Sequence, residues 1–467
     1  MAKIRITSKG NYMKLRKALN PFHMRKAINY VCNFCANTIE SQTILKMLIK
    51  MQNGQLQDAT QHRNEKLLNI LRYVQNHCPY YKNLFLENNI NPNSLKNFGQ
   101  IPLLDKATVR THFNELLSDE VSSLSTYTMN TGGSTGEPLE FIVSTLAGVI
   151  DKVHQEFVFK TTMGYKEGDK IVAFDGSTVP EECIKSHIYW IQKSDQDIPY
   201  GRLSYSSLYL TKENIQYYVQ NIIDTAPCIL RGYPSFINSI AEYILNENIN
   251  IPFKVKGVQL TAEMANDAQI DNIERAFNTK VYLQYGHSEV CVYGFTFDAT
   301  QEYYCSPFYG YTEVLDETGR PVDKGEVGEV VVTGFYNFAM PFIRYRTGDL
   351  AVFNGDNNGV VALQKIIGRT QDYVITKDGE KISLTALIFG QHYAAFKHIE
   401  KWQLQQDIPG KVHFRIVKAK NYSEKDEQEI QRKFRGIGDI DTEFKYVSSI
   451  PLTKRGKYKF LIQNIIH

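Results

Sequence analysis

The spacing of apolar residues predicts helices in the first part of the chain. Between residues 40 and 120, apolar positions recur every three or four residues, as in Ile44–Met51 and Lys66–Val74. This period places them on one face of an amphipathic helix. Asp105 stands directly before the run Lys106–Leu117, where its carboxylate would cap a further helix. We therefore expect this part of the chain to be helical.

The pattern changes between residues 168 and 290, where short apolar runs alternate with stretches of helical period. Strands are predicted at Lys170–Phe174, Cys228–Arg231, Val255–Leu260 and Val281–Tyr285, with helices at Pro234–Leu245 and Asn266–Phe277. Alternation of strands and helices is typical of βαβ units. This part of the sequence therefore predicts a mainly parallel, buried sheet.

A second change begins near residue 303, where polar and apolar residues alternate. Tyr311–Leu315, the turn Asp316–Gly319 and Gly328–Thr333 predict a hairpin within a small barrel or an antiparallel sheet. After Gly368 the order is hairpin, helix, hairpin, helix, strand. The segments are Tyr373–Ile382, Ser383–Ala394, Ile399–Lys418, Ser423–Phe434 and Glu443–Ser448.

These patterns together predict an α/β protein with three parts. A basic helical extension would occupy residues 1–60. A large α/β domain with parallel sheets and a small β-barrel-like part would occupy residues 61–367, and a small α+β domain residues 368–467. A chain of 467 residues has ample length for this division.

Composition is that of an ordinary globular protein. Hydrophobic residues make up 43% and charged residues 22%, and a net charge of +3 gives no signal for nucleic-acid binding. Because no run of eighteen apolar residues occurs, we expect no membrane span. Seven scattered cysteines favour reduced thiols and a cytoplasmic location. Cys32 and Cys35 form a close pair, but without nearby histidines they make a poor zinc site.

The N-terminus is strongly basic. Residues 1–26 contain eight Lys or Arg and no acidic residue. One interpretation is a solvated or locally docked arm. The other is a peripheral contact with an anionic surface, either the inner face of a membrane or a polyanionic partner.

A glycine-rich segment carries the first sign of chemistry. Its three glycines and three hydroxyl residues follow the strand-like run Leu124–Met129; they are Thr131, Gly132, Gly133, Ser134, Thr135 and Gly136. Glycines let successive N–H groups converge on an anion, and hydroxyl groups add donors. No lysine follows the last glycine, so this is not the mononucleotide P-loop. It predicts either a phosphate-binding loop or a flexible surface turn.

Four later segments decide between these alternatives. Tyr285–Glu289 ends a predicted parallel strand, where open α/β sheets usually bind ligands. Tyr345–Asp349 follows the hairpin region, Gly368–Asp372 lies at the predicted domain boundary, and Lys454–Lys457 lies in the last loop.

Together with the glycine-rich loop, this ordered set resembles the adenylate-forming superfamily of acyl-CoA synthetases and related ligases, over about residues 65–465. Within that superfamily the chain resembles phenylacetate-CoA ligases and the CapK-like proteins of capsule biosynthesis. The motifs that carry this second resemblance are Leu71–Tyr81, Ile101–Lys106, Thr261–Glu263 and Ala339–Asp349.

The resemblance implies a ligase that uses ATP and Mg²⁺ in two half-reactions. A small carboxylic acid, aryl or acyl, would attack the α-phosphate and form an acyl-adenylate and pyrophosphate. No general base is needed, because a carboxylic acid is already ionised at neutral pH. CoA would then accept the acyl group. Two alternatives stay open: transfer to an amine in surface-polysaccharide or secondary-metabolite synthesis, and a non-catalytic adenylate-fold binding protein.

The resemblance also assigns roles to single residues. The 131–136 loop would hold the β- and γ-phosphates, Glu289 the Mg²⁺ and Asp349 the ribose hydroxyls. Lys457 would pair with the attacking carboxylate and the α-phosphate, and Arg369 would contact ribose or phosphate. The remaining nucleotide contacts would be Ala262, Glu263, Tyr285, Gly286 and Ser288, and the acyl pocket would be walled by Tyr233, Pro234, Ser235 and His287.

Each assignment has a plain structural alternative. Glu289 would otherwise be a surface acid at a strand end, Asp349 a turn residue, Lys457 part of a solvated basic tail and Arg369 a linker residue. His287 would be a packed core histidine, or it would hydrogen-bond the substrate carboxylate or acyl group.

The chain departs from the family pattern at two places. The hinge position is commonly Asp or Lys, but here Gln371 stands there with Asp372 beside it, so either residue would act as the pivot of a mobile C-terminal domain. Some relatives carry a Cys/His cluster after the Tyr-Gly-x-Ser-Glu motif. Here the corresponding region offers Cys291 and Cys305, and we expect no structural zinc.

Overall fold

A computed structural model describes most of the chain. It covers residues 39–56, 58–131, 139–297, 300–369, 373–384, 387–388, 393–453 and 456–465, apart from the side chains of residues 369, 381, 383 and 397. The basic arm of residues 1–26, the loop residues Gly132–Gly136 and the candidate hinge residues Gln371 and Asp372 lie outside this description. No helix within it is long and apolar enough to cross a membrane.

The first described part is helical, as its apolar spacing predicts. The helices are α1 (Ile39–Gln52), α2 (Thr60–His77), α3 (Pro79–Glu87), α4 (Lys106–Thr111) and α5 (Phe113–Leu116). Asp105 caps α4, and its Oδ1 accepts a hydrogen bond from the Thr108 backbone N–H at 2.7 Å. The single helix expected over Lys106–Leu117 is interrupted at His112, whose φ of −107° and ψ of 28° leave the helical region. The β-branched residues before it weaken helix continuation.

A hairpin and a long helix follow. The hairpin consists of β1 (Thr126–Asn130) and β2 (Glu140–Ser144), paired antiparallel. Helix α6 (Thr145–Phe157) starts directly after β2 and continues into a turn of π-helix at Val158–Thr162. The glycine-rich segment therefore connects two paired strands.

The middle of the chain forms the parallel sheet that its pattern predicts. Its elements are β3 (Ile171–Asp175), α7 (Glu181–Lys185), β4 (Trp190–Gln192), β5 (Leu203–Ser206), α8 (Ile215–Thr225), β6 (Ile229–Gly232), α9 (Pro234–Asn246), β7 (Gly257–Thr261), α10 (Asp267–Phe277) and β8 (Val281–Gly286). Strands β5, β3, β6, β7 and β8 are parallel neighbours. Helices α8, α9 and α10 cover one face through a buried apolar cluster, and α6 lies with the N-terminal helices in the cluster on the other face. Burial on both faces explains the continuous apolar runs.

The antiparallel strands extend this sheet. They are β9 (Tyr293–Phe295), β10 (Tyr303–Cys305), β11 (Gly310–Leu315), β12 (Val327–Gly334), β13 (Tyr345–Asn357) and β14 (Val360–Arg369). The twelve strands run in the order β11-β12-β13-β14-β10-β9-β8-β7-β6-β3-β5-β4. The region expected to resemble a small barrel is thus an antiparallel continuation of the main sheet, because β9 pairs with β8 and β10 pairs with β14.

The C-terminal part has its own core. Its elements are β15 (Tyr373–Ile375), β16 (Lys381–Ser383), β17 (Ile399–Ile408), β18 (Lys411–Lys418), α11 (Glu424–Ile437), β19 (Asp441–Tyr446) and β20 (Leu461–Gln463). The four-stranded sheet has the order β19-β18-β17-β20, and α11 packs on it through Ile430 and Phe434. Half of the helix predicted at Ser383–Ala394 falls outside the described residues. The exact division at residues 60 and 367 stays a prediction.

Candidate functional site

A loop of the C-terminal part docks at the carboxyl ends of the parallel strands. The Ser207 hydroxyl donates to the Gly456 carbonyl at 2.8 Å, and the Tyr458 N–H donates to Glu263 Oε1 at 2.7 Å. These two hydrogen bonds flank Lys457 in sequence. The loop is closed on itself, since the Thr453 N–H donates to the Lys457 carbonyl at 2.9 Å. The fold therefore delivers Lys457 into the cleft between the two parts of the molecule.

The lysine side chain points at one of the residues predicted to wall the acyl pocket. Lys457 Nζ lies 5.6 Å from the centre of the Tyr233 ring. Tyr233 directly follows β6 and precedes Pro234, the first residue of α9. Lys457 is also close enough to Glu263 to oppose the effect of burial on that carboxyl group. The predicted basic tail is thus not left in solvent at this position.

Glu263 joins the large domain to the docked loop. Its Oε2 accepts from the Ser235 hydroxyl at 2.7 Å and from the Ser235 N–H at 3.2 Å, while Oε1 accepts from Tyr458. Burial raises the pKa of the Glu263 carboxyl group, and these hydrogen bonds counteract that rise. Its neighbour Ala262 is exposed and has a φ of +69°, an unusual value for a residue with a Cβ. Ser235 therefore contacts the predicted nucleotide residue Glu263.

Glu289 lies in a buried polar group at the end of β8. Tyr345 donates to its Oε1 at 2.8 Å, and His287 Nδ1 lies 3.0 Å from its Oε2. Burial by itself would raise the pKa of the Glu289 carboxyl group, but His287 and the Tyr345 hydroxyl outweigh it and lower that pKa to about 2. The side chain is therefore an anion at neutral pH, not a surface acid.

The backbone beside Glu289 is strained. Val290 has a φ of +52°, and a β-branched residue in the left-handed region is a genuine outlier. His287 Nε2 is buried and has no hydrogen-bond partner within the described part of the chain.

Asp349 contacts the end of β8, the strand that leads into the Tyr285–Glu289 motif. The Tyr285 hydroxyl, at the end of β8, donates to Asp349 Oδ2 at 3.0 Å. Asp349 is also the ladder partner of Arg369 across β13 and β14. The two predicted ribose-binding residues are thus neighbours along the backbone, although the Arg369 side chain lies outside the description. Gly286 and Ser288 occupy the exposed or half-buried positions between Tyr285 and Glu289.

Thr131 fixes the base of the glycine-rich loop. Its N–H donates to the Leu139 carbonyl at 2.9 Å, and its Oγ1 accepts from the Leu139 N–H at 2.9 Å. The residue is buried, with 8% exposure. The hydroxyl therefore closes the loop, which leaves phosphate binding by Gly132–Gly136 as a prediction.

Three contact residues were not predicted from the sequence. Tyr345 lies in the Ala339–Asp349 motif, but the sequence predicted no contact for it. Ser207 and Tyr458 lie outside every motif. Their partners lie far away in sequence, for example 249 positions between Ser207 and Gly456. Of the three, only Tyr345 offered a signal, through its place directly before the Arg-Thr-Gly-Asp residues.

The residues at hand fit Mg²⁺ only together with a bound phosphate. Within the described ranges, no group of three or more His, Cys, Asp or Glu residues could hold a metal ion. Mg²⁺ commonly takes one or two protein carboxylates and completes its shell with phosphate oxygens and water. Glu289 supplies one ionised carboxylate of this kind.

The chain is similar to known proteins over most of its length. Residues 374–464 match the family described as the CapK C-terminal domain. The chain is 26% identical over 422 residues to protein CapK of Staphylococcus aureus, which covers 87% of this chain and 90% of that protein. It is 24% identical over 353 residues to the phenylacetate-coenzyme A ligase of Pseudomonas putida, covering 71% and 75% of the two chains.

Solved structures share the fold. A 2-hydroxyisobutyryl-CoA ligase in the postadenylation state superposes with a TM-score of 0.63 at 18% identity, covering 85% of this chain and 88% of that one. An acyl acid amido synthetase in complex with 2,4-DB gives a TM-score of 0.59 at 13% identity, covering 86% and 89%. With its fold, its C-terminal domain and its relatives taken together, the chain resembles CapK and the phenylacetate-CoA ligases, and these similarities support the adenylate-forming superfamily.

Proposed function

We propose that this protein is an ATP-dependent, AMP-forming ligase that activates a carboxylic acid as its acyl-adenylate and transfers the acyl group to CoA. The observation that carries the proposal is the docked loop. It holds Lys457 beside Tyr233 and Glu263 at the carboxyl ends of β6 and β7. A C-terminal lysine brought into this cleft by a separate domain suits a reaction in which negative charges must be brought together.

The first half-reaction requires alignment and charge neutralisation. A carboxylate oxygen of the acid forms a bond to the α-phosphorus of ATP, while the bond to the bridging oxygen breaks and pyrophosphate leaves with its electron pair. Lys457 would hold the attacking carboxylate and the α-phosphate, which otherwise repel each other. No proton is transferred in this step, because the acid enters as an anion.

The nucleotide would lie between Glu263 and Asp349. We assign the ribose hydroxyls to Asp349, whose carboxylate is positioned by Tyr285, with Arg369 on the neighbouring strand. Ala262, Glu263, Tyr285, Gly286 and Ser288 would surround the base and sugar. Glu289 would hold Mg²⁺, which neutralises phosphate charge when bound, and the 131–136 loop would hold the outgoing phosphates.

In the second half-reaction, an acceptor attacks the acyl carbon and AMP leaves. We infer CoA as acceptor because phenylacetate-coenzyme A ligases are among the relatives. The thiol sulfur forms the new bond, the bond to the AMP oxygen breaks, and the thiol proton is released. An amine acceptor is the alternative, since the similar CapK and the amido synthetase fold leave amide formation open. A rotation of the 368–467 domain about Gln371 or Asp372 would clear Lys457 from the cleft.

The test is acid-dependent exchange of labelled pyrophosphate into ATP, screened over a library of carboxylic acids. The wild type should support exchange with at least one acid, without any acceptor. Lys457→Ala should lower that exchange by about 10²–10³-fold, because one preorganised charge is lost, while ATP binding measured by calorimetry is largely kept. Lys425→Ala is the matched control, as Lys425 is an exposed residue in the first turn of α11.

The outcomes separate the three hypotheses. AMP release that depends on CoA supports the thioester ligase, and AMP release that depends on an amine supports amide formation. ATP binding without exchange for any acid would indicate a binding protein and overturn the proposal. Near-normal exchange in Lys457→Ala would overturn the role of that lysine.

A further inference from the structure

A polar network lies next to the candidate site; it is buried at four of its seven members, half-buried at Asp151 and Arg231, and exposed at Tyr200. It occupies the face of the sheet that α6 covers, where the neighbouring side chains are apolar. The members come from α6, β6, β7, β9 and two connecting segments, and they are Asp151, Gln155, Tyr200, Arg231, Gln259, Tyr293 and Tyr309. Burial of polar groups is costly unless each finds a partner. Such a network in a sheet core therefore requires an explanation.

Gln259 is at its centre. Its Oε1 accepts from Gln155 Nε2 at 2.9 Å and from Arg231 Nε at 3.0 Å. Its own Nε2 is fully buried and donates to no group among the residues described. The Tyr293 hydroxyl lies nearby, but it donates to Gln155 Oε1 at 3.0 Å and does not reach hydrogen-bond geometry with this amide. A buried donor that is left unmet lowers stability, so this amide requires a partner.

The charged members face Gln259 from two sides. Tyr200 donates to Asp151 Oδ2 at 2.7 Å, and Tyr309 donates to Oδ1 at 3.0 Å. The Arg231 guanidinium carbon lies 5.4 Å from the centre of the Tyr200 ring. Burial raises the pKa of the Asp151 carboxyl group, and the two phenols and the Arg231 charge oppose that rise. This cluster thus combines the Arg231 cation, the Asp151 carboxyl group held by two phenols, and an amide whose N–H groups have no partner among the described residues.

The strand register connects this network to the reacting centre. Arg231 and Gln259 are ladder partners on β6 and β7, so their side chains lie on the same face. Two residues further along β6 comes Tyr233, which faces Lys457. Two residues are roughly 7 Å of strand. Thr261, the last residue of β7, donates to Gln284 Oε1 at 2.5 Å, and Gln284 lies two residues before Gly286, the last residue of β8. An acid whose carboxylate meets Lys457 would therefore extend its acyl part toward Gln259.

We propose that Gln259 and Arg231 form the acyl-recognition subsite and that the activated acid carries an oxygen acceptor, a hydroxyl or carbonyl group, a few bonds from its carboxylate. This inference rests on the proposed function. The amide hydrogens of Gln259 would donate to that oxygen and Arg231 would complete the contact. A plain aryl or alkyl acid would leave the Gln259 amide N–H groups buried without a partner, and a site built to hydrogen-bond a substrate rejects the analogue that lacks the group.

The experiment compares pairs of acids that differ by one hydroxyl group. Suitable pairs are propanoate with 2- or 3-hydroxypropanoate, butanoate with 3- or 4-hydroxybutanoate, and phenylacetate with 4-hydroxyphenylacetate or mandelate. The measured quantity is kcat/KM for acid-dependent pyrophosphate exchange. Gln259→Glu keeps the oxygen that accepts from Arg231 and Gln155 but removes the donor. Gln61→Glu, the same substitution at an exposed position, is the control.

In the wild type, the hydroxylated acid should be preferred at least tenfold within at least one pair. Gln259→Glu should lower kcat/KM for that acid by about 10- to 100-fold and change its unsubstituted partner much less, whereas Gln61→Glu should change neither. If Gln259→Glu does not fold, the wild-type preference still decides.

A best acid that is unsubstituted, or a free amino acid, would overturn the inference while leaving the ligase intact. If Gln259→Glu keeps the preference for the hydroxylated acid, Gln259 is not the residue that recognises the hydroxyl group. Exchange with no acid at all would instead overturn the proposed function, and the inference with it.

Discussion

At the scale of single residues, Glu289 shows how the fold keeps a buried carboxylate charged. Burial alone favours its neutral form, yet His287 Nδ1 at 3.0 Å and the Tyr345 hydroxyl at 2.8 Å stabilise the anion. The charge is thus held in place before any ligand arrives. Preorganisation of this kind costs stability elsewhere, and Val290, with its φ of +52°, is one place where strain is stored.

This geometry predicts a pH dependence of stability. The pKa of Glu289 is lowered from 4.5 to about 2, so its ionisation stabilises the folded state fully above about pH 4.5 and progressively less as pH falls toward 2. A shift of this size corresponds to about 3 kcal/mol as an upper bound. Wild type should therefore exceed Glu289→Gln in unfolding free energy at pH 7, and the difference should shrink below about pH 4.5. Urea unfolding at a series of pH values measures it.

Glu317→Gln is the control for this prediction, because Glu317 lies exposed in the turn between β11 and β12. Its unfolding free energy should follow the wild type at every pH. A difference between wild type and Glu289→Gln that is constant from pH 7 to pH 3 would contradict the assigned pairing, since only an ionisation that the fold favours can produce the change.

Residue identities were more predictable than residue contacts. Glu289, Asp349, Lys457 and Glu263 could be selected because each stands in a short motif, and the carboxyl ends of parallel strands meet at one edge of a sheet. Their partners could not be selected. Tyr345 reaches Glu289 from 56 positions away, and a hydroxyl group carries no periodic signal.

At the scale of elements, one glycine shapes the docked segment at residues 456–458. Gly456 has a φ of +71°, and a Cβ at this position would lie 2.1 Å from Ser207 Oγ and 2.7 Å from the Gly176 Cα. The loop can therefore sit against the large domain only where no side chain intervenes. The close approach fixes how deeply Lys457 enters the cleft.

We predict that Gly456→Ala impairs the adenylation half-reaction selectively. The added methyl group would push the loop away from Ser207 and Gly176, so acid-dependent pyrophosphate exchange should fall at least tenfold. The melting temperature should change little, because the loop contributes little apolar burial. Gly436→Ala is the matched control: Gly436 lies near the end of α11 with no atom within 4 Å of an added Cβ. Exchange at the wild-type rate in Gly456→Ala would show that close docking is not required.

Strands of the parallel sheet were predicted where their apolar runs are continuous and were missed where polar residues interrupt the run. The parallel strands β3, β6, β7 and β8 are buried on both faces and show plainly in the sequence. Strand β5 (Leu203–Ser206) escaped prediction because two of its four residues are buried serines. The alternating pattern of β11 and β12 was recognised, but alternation is the same whether strands close a barrel or extend a sheet.

At the scale of the whole molecule, several contacts that join the two described parts of the chain are polar. Besides the docked loop, Lys212 Nζ of the large part lies 3.6 Å from Glu400 Oε2 of β17, with 80% and 42% of the side chains exposed. An exposed ion pair contributes little stability. Glu242 and Lys401 face each other across the same boundary, and burial raises the pKa of the Glu242 carboxyl group and lowers that of the Lys401 ammonium group.

Such a boundary suits domains that change their relative position, because polar interfaces within a chain are readily separated. The change in the pattern of apolar and polar residues predicts the domain boundary near residue 368. The arrangement of the two parts depends instead on contacts such as Lys212–Glu400, which join residues 188 positions apart and leave no trace in local periodicity.

The Lys212–Glu400 pair allows this arrangement to be fixed covalently. A carbodiimide should join the two side chains as an amide, since an amine and a carboxylate already lie 3.6 Å apart, and mass spectrometry of the digested protein should find the linked peptides. The linked protein keeps Lys457 in the cleft. We therefore expect it to retain acid-dependent pyrophosphate exchange within about twofold but to lose at least tenfold in transfer of the acyl group to its acceptor, because that step needs the lysine withdrawn.

Lys212→Arg is the control for this experiment. It preserves the charge but forms no such amide, so the treated variant should keep both activities. Equal transfer rates in the linked and unlinked wild type would show that a single domain arrangement serves both half-reactions.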